Sequence, residues 1–280
     1  MWDTTGEHRK YQSRPSGQKS PDCRLFCPLP RCGRSDHAIE GKIHSLESLG
    51  LVDGPGIRAV VFMQGCRLRC RYCHNPDTWA LTGGETIAPA ALVEQLKRFL
   101  PYYVRSGGGV TFSGGEPLLQ PEFLAEALRL CKEAGISTCL DTAGVGNGEY
   151  ADILRYTDLV LYDVKHYTPE GYLEITGQPM TETLRFVDAV RSANVPMWVR
   201  HVVVPGITDS ETHLRGLARY VRTLPRVERV ELLGYHLLGV EKYHTMGLTY
   251  SLEGVPALSE ERRCACQQLM DECMKGEQCK

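Results

Sequence analysis

Between residues 59 and 275, short apolar runs alternate with amphipathic stretches, and this alternation restricts the fold more than any other feature of the chain. The runs at 59–64, 109–113, 136–141, 159–163, 197–204 and 229–233 have the length and composition of buried strands. Helical periodicity marks 91–100, 121–134, 149–156, 182–193, 209–224 and 259–275. The segment 121–134 shows the pattern best, with Pro121 in its first turn, Leu124, Ala127, Leu128 and Cys131 on one stripe, and Gly135 at its stop. Six strands, each followed by a helix or a long connection, imply an α/β chain with a parallel sheet and helical crossovers. Six units are too few to close an eight-stranded barrel. In sheets of this kind the chemistry gathers at the carboxyl ends of the strands.

The first core strand runs directly into Cys66, Cys70 and Cys73, spaced C-x3-C-x2-C. Thiolates this close in sequence can wrap one soft metal centre. Four would close an iron–sulfur cube or a zinc tetrahedron, whereas three leave a position for a non-protein ligand. The alternative readings are a Cys3His zinc module that includes His74, or unrelated buried thiols. Other strand ends also carry polar residues. Gly114 and Gly115 end the second strand and let backbone approach a ligand closely. Asp141 and Asp163 end the third and fourth, where two neighbouring carboxylates would repel unless a cation lay between them. Arg200 interrupts an apolar run, so it must be paired or face the open end of the sheet. Arg67, Arg69 and Arg71 alternate along the cysteine loop as solvated charges that can attract an acidic electron donor. Cys131, Cys139, Cys264, Cys266, Cys273 and Cys279 read as structural thiols.

With Tyr72 before the third cysteine, the loop resembles the radical S-adenosylmethionine (SAM) superfamily. The resemblance implies a partial (β/α)6 barrel, a single [4Fe-4S] cluster held by Cys66, Cys70 and Cys73, and SAM as cosubstrate. It places the SAM-binding set at Tyr72, His74, Gly114, Gly115, Glu116, Asp163, Val164, Lys165 and His236. It also implies a monovalent cation at Asp141, Thr142 and Asp163. The turn Asp53, Gly54, Pro55, Gly56, the pair His74 and Asn75, and the stretch Trp198 to Arg200 resemble more narrowly the activases of glycyl radical enzymes. That resemblance implies a protein substrate of the pyruvate formate-lyase type, engaged by Asp53, Gly54 and Arg200, and a flavodoxin- or ferredoxin-type electron donor. No cysteine lies between Cys73 and Gly114, so the ferredoxin-like insertion of many activases of other glycyl radical enzymes is missing there. Six strands should leave the barrel open at its side, wide enough for a peptide loop. Gly234 departs from the Pro common in the activases, and Leu161 from a Met. An activase for another glycyl radical enzyme, or a radical enzyme acting on a small molecule, remains as an alternative.

A net charge of -2 gives no reason to expect nucleic acid or an anionic membrane as partner. No apolar run approaches the ~20 residues of a membrane span, and the first residues hold no secretory h-region. Twelve cysteines without an export signal point to a reducing, cytoplasmic compartment. Residues 1–39 are rich in Arg, Ser, Pro and Gly and read as a disordered extension, with the folded domain at 40–280. Cys23, Cys27 and Cys32 lie in that extension and read as incidental thiols, the alternative being a second metal site.

Overall fold

The computed structural model describes residues 39–276. The proposed extension, with Cys23, Cys27 and Cys32, lies outside the described residues apart from its last position, and so does Cys279. The fold is α/β. Its eight strands are β1 (Gly41–Gly50), β2 (Arg58–Met63), β3 (Glu85–Ile87), β4 (Gly109–Gly114), β5 (Ser137–Thr142), β6 (Leu159–Asp163), β7 (Met197–Val203) and β8 (Val227–Gly234). They form one sheet in the order β3-β1-β2-β4-β5-β6-β7-β8. From β2 to β8 every neighbouring pair is parallel, as the six expected units require. The sheet does not close, because β8 has no partner on its far side among the described residues.

Two antiparallel strands, β1 and β3, extend the sheet beyond the six expected. β1 has ten residues ahead of the cysteine loop, and β3 has three, too few to show a period. The helix expected at 91–100 is two helices, α1 (Pro89–Lys97) and α2 (Leu100–Ser106). Pro101 lacks the N–H that would continue the first helix and restarts the chain as the first turn of the second. The remaining helices are α3 (Pro121–Glu133), α4 (Ala151–Arg155), α5 (Pro169–Thr176), α6 (Thr181–Ala193), α7 (Glu211–Val221), α8 (Val240–Thr245) and α9 (Glu260–Lys275). None of the described helices is long and apolar enough to cross a membrane.

Strand alternation sorts side chains by chemistry. Ala59, Val61 and Met63 of β2, Val110 and Phe112 of β4, and Val160 and Tyr162 of β6 join the main core with the apolar stripes of α3, α6 and α7. The opposite face carries Arg58, Thr111, Ser113, Cys139, Asp141, Asp163 and Arg200. The register sets Asp163 beside Arg200, and Arg200 beside Glu231. Cys131, Cys139, Cys266 and Cys273 are buried as expected of structural thiols, whereas Cys264 is exposed on α9.

Candidate active site

The loop from Gly65 to Cys73 is fastened from both sides. Gly65, at φ 101, starts the turn. The N–H groups of Gly65 and Cys66 donate to Thr78 and Trp79 carbonyls, and those of Arg69 and Arg71 to the carbonyls of Thr176 and Ile175 in α5. The arginines expected to be solvated have protein partners. Arg69 donates to the carbonyls of Cys66 and Leu68 at 2.8 Å each and lies 4.8 Å over the Trp79 ring. Arg71 pairs with Glu174 at 3.0 Å, and exposed Arg67 reaches Asn147.

A second apolar cluster surrounds the three thiols, drawn from Leu68, Tyr72, Ile175, Tyr235, Tyr243 and Leu252 among others. The segment after β8 supplies much of it, and the sequence had given a role there to His236 alone. Tyr243 donates its hydroxyl to the Cys73 carbonyl at 3.1 Å, and Ser251 to that of Arg71 at 3.0 Å. Cys66 and Cys70 are buried and Cys73 half-buried. Burial pushes the thiols of Cys66 and Cys70 up to about 12 and raises Cys73. Thiolates in such surroundings are stable as ligands of a metal centre and not as free anions.

Beside the thiols lies a cavity of about 220 Å³. Its walls include Cys66, Cys70, Cys73 and His74 on one side and Ser113, Gly114, Gly115, Asp141, Thr142, Asp163 and Lys165 on the other. The glycine pair interlocks the two sides. Gly115 donates to the Met63 carbonyl at 2.9 Å and Glu116 N–H to the Gly65 carbonyl at 2.8 Å. A Cβ on Gly115 would fall 2.3 Å from the Gly65 oxygen. Glu116 does not face the cavity. Its carboxylate accepts from Thr142 Oγ1 at 2.5 Å, Ala143 N–H at 3.0 Å and Leu118 N–H at 3.2 Å, bracing the ends of β4 and β5. Burial raises this carboxyl to about 7 against those hydrogen bonds.

The expected carboxylate pair is present, and each member has a cationic partner. Asp163 Oδ2 is 2.8 Å from Lys165 Nζ. Asp141 Oδ2 accepts from Ser113 Oγ at 2.6 Å and lies 3.6 Å from Arg200 Nη1. Asp141 Oδ1 is buried without a partner. Burial raises the Asp141 carboxyl, Arg200 opposes that rise, and Asp163 adds to it. Arg200 sits between charges, with Nε 3.6 Å from Glu231 Oε2 and Nη2 donating to the Val52 carbonyl. That last bond ties it to the turn holding Asp53 and Gly54. The carboxyl of Asp53 is raised by burial and pulled the other way by Arg200 and Arg58.

Arg58 anchors that turn from below and was not singled out in the sequence, although a charge opening an apolar strand is a visible signal. It is fully buried. It donates to Thr111 Oγ1 at 2.7 Å and to the carbonyls of Pro55, Val110 and Ser137. Thr111 in turn donates to the Asp53 carbonyl at 2.6 Å.

At the far rim, His74 and His236 stack at 3.8 Å, and His74 Nε2 donates to the His236 carbonyl at 3.1 Å. Burial pulls His74 down to about 4, helped by its neighbour, and lowers His236 too. His236 Nδ1 is buried without a partner. Val164 points into the main core, so only its backbone can face a ligand. Among the described residues no three His, Cys, Asp or Glu side chains converge on a single ion. The zinc reading would also need His74, which is engaged with His236.

The radical SAM superfamily profile matches residues 60–216, more than half of the chain. The pyruvate formate-lyase-activating enzyme of Clostridium pasteurianum is 52% identical over 237 residues, which span 85% of this chain and all of that protein. The chain belongs to the radical SAM superfamily, in the family of those activating enzymes. The pyruvate formate-lyase-activating enzyme of Staphylococcus aureus strain USA300 is 44% identical over 231 residues, or 80% of this chain and 92% of that one. Two solved structures show the fold alone. SuiB of Streptococcus suis bound to the precursor peptide SuiA has a TM-score of 0.57 at 12% identity, over 78% of this chain and 45% of that one. A radical SAM methyltransferase from Sphaerobacter thermophilus has a TM-score of 0.55 at 16% identity, over 77% and 64%. Radical SAM membership brings SAM and an iron–sulfur cluster. The residues fit both: three thiols, two buried and one half-buried, line one cavity, Asp141 Oδ1 on its wall is unpartnered, and His236, whose Nδ1 is unpartnered, stacks on His74 of that wall.

Proposed function

We propose that this chain activates pyruvate formate-lyase by removing a hydrogen atom from one backbone Gly Cα, leaving a glycyl radical on the partner. The observation that carries the reading is 52% identity along the whole length of an activating enzyme of that name, joined to the three-thiol cavity. When bound, a [4Fe-4S] cluster and SAM supply the electron and the 5′-deoxyadenosyl radical that takes the hydrogen.

The protein's share is placement and charge. Cys66, Cys70 and Cys73 would hold the single cluster, inside an apolar wall that keeps water away from it. Backbone carbonyls around Gly114 and Gly115 suit an ammonium group. Lys165, with burial pulling its ammonium down but Asp163 and Cys70 more than offsetting that, stays charged and suits a carboxylate. His74 and His236 form a neutral, stacked pair that suits a nucleoside. Tyr72 packs under Lys165, whose Nζ is 5.9 Å from its ring. Asp141, Asp163 and the backbone of Thr142 would hold a monovalent cation. The unpartnered Asp141 Oδ1 supports that reading, and the Thr142 hydroxyl is already given to Glu116. Arg200 is tied by hydrogen bond to Val52, next to Asp53 and Gly54, and these three residues, Arg200, Asp53 and Gly54, would hydrogen-bond an extended peptide and orient its Gly. Exposed Arg67 on the cluster loop suits an acidic flavodoxin- or ferredoxin-type electron donor.

The test is electron paramagnetic resonance. Reconstituted protein, SAM and a reductant, mixed anaerobically with pyruvate formate-lyase, should produce a glycyl radical signal. A signal only on another glycyl radical enzyme would move the reading to that partner.

A further inference from the structure

Behind the cavity wall, β7 carries a second buried polar side chain. Arg200 faces the site, and His201 faces the helices, 1% exposed. His201 Nδ1 lies 2.6 Å from the Val164 carbonyl. A carbonyl only accepts, so Nδ1 bears the hydrogen and Nε2 is left with its lone pair. His213 of α7 supplies the complement, its Nε2 donating to His201 Nε2 at 3.1 Å. The two rings stack with centroids 5.2 Å apart.

The segment after Val164 is packed onto the same pair. His166 and Tyr167 stack at 4.9 Å, and the His213 ring lies 4.9 Å from the first and 5.1 Å from the second. Gly216 of α7 leaves room for Tyr167, since a Cβ there would fall 2.3 Å from its hydroxyl oxygen. Val164 is thus held from both ends. Its N–H donates to the Arg200 carbonyl at 2.9 Å, and its carbonyl accepts from His201. Asp163 and Lys165 flank Val164 and line the cavity. Without the imidazole, a buried carbonyl would lose its partner at the point where the backbone aims those two charges.

We propose that His201, seated on His213, is a positioning residue that fixes the Asp163–Lys165 backbone and thereby the affinity for SAM. The proposal rests on the reading of Asp163 and Lys165 as part of the SAM site. Two replacements separate its parts. An Asn at 201 carries an amide N–H where Nδ1 lies, whereas a Gln carries it where Nε2 lies, turned toward His213.

The experiment measures SAM binding by equilibrium dialysis on reconstituted protein, and hydrogen exchange of segment 163–167 on cluster-free protein. His201→Gln should weaken SAM binding about tenfold, equivalent to ~1.4 kcal/mol, and speed exchange of that segment. His201→Asn should stay near the parent in both, and the iron content of all variants should match. Lys165→Ala serves as the control for the site reading. If Lys165→Ala weakens binding while His201→Gln and His201→Asn are indistinguishable, the positioning role is wrong. If Lys165→Ala leaves binding unchanged, the site reading fails. Faster exchange in His201→Gln would then still show the backbone clamp.

Discussion

Gly115→Ala tests the interlock between the glycine turn and the cysteine loop. The added Cβ would sit 2.3 Å from the Gly65 carbonyl oxygen, where ordinary contact starts near 3.4 Å. One loop must therefore retreat by about 1 Å. Both neighbours on that side are backbone, so no side chain can swing clear. The retreat stretches two hydrogen bonds, Gly115 N–H to Met63 and Glu116 N–H to Gly65. At ~1 kcal/mol each, their loss is small beside the ~5–15 kcal/mol of a typical domain, and the variant should fold. Gly65 immediately precedes Cys66, so the displacement falls on the cysteine loop and on the glycine turn together. A misplacement of ~1 Å costs about a hundredfold in rate when reacting groups must align. The assay is 5′-deoxyadenosine formation by reconstituted protein, with a urea midpoint as the control for folding. A folded variant with the parental rate and SAM affinity would refute the interlock.

Replacing Cys70 with Ala should abolish stable iron and sulfide incorporation, measured by metal and acid-labile sulfide analysis, because two thiols cannot retain the centre. Arg58→Met strips four acceptors of their shared buried donor. It should cost ~3 kcal/mol, read as a lower urea midpoint. Asp53→Ala and Arg200→Ala should reduce hydrogen abstraction from a Gly peptide more than they reduce uncoupled SAM cleavage, both followed by product chromatography. Burial lowers His201 from 6.5 to about 4 in the folded chain, so the unfolded chain binds more protons between those values. Stability is therefore lost as pH falls through that window, by up to ~1.4 kcal/mol per pH unit. Thermal unfolding of His201→Asn should show a shallower acid slope than the parent.

The strand ends were legible because their signals are local. Short apolar runs, stopped by Gly114, Asp141 or Asp163, show in sequence where a strand delivers its last residue. The resemblance then supplied roles for those residues, which periodicity could not do. β3 was missed because three residues give no period, and α5 and α8 because short helices carry no full stripe. Glu116 shows the limit of a motif. Its place beside Gly115 suggested the cofactor, but its carboxylate turns inward to Thr142 and Ala143. Arg69 shows the limit of charge, since the guanidinium of this exposed residue also donates to the carbonyls of Cys66 and Leu68 in its own loop. Arg58 and His201 owe their roles to Thr111 and Val164, 53 and 37 residues away in the chain. Only the folded register brings those partners together.

The proposed activity takes its hydrogen from a partner's backbone Gly. Pyruvate formate-lyase with deuterium on the Cα of its radical-bearing Gly, mixed anaerobically with the reconstituted chain, SAM and a reductant, measures that transfer directly. Deuterium should appear in the 5′-deoxyadenosine, in step with the glycyl radical formed. Deuterium-free 5′-deoxyadenosine from that mixture, with label transferred in a separate incubation from a deuterated small metabolite, would overturn the reading.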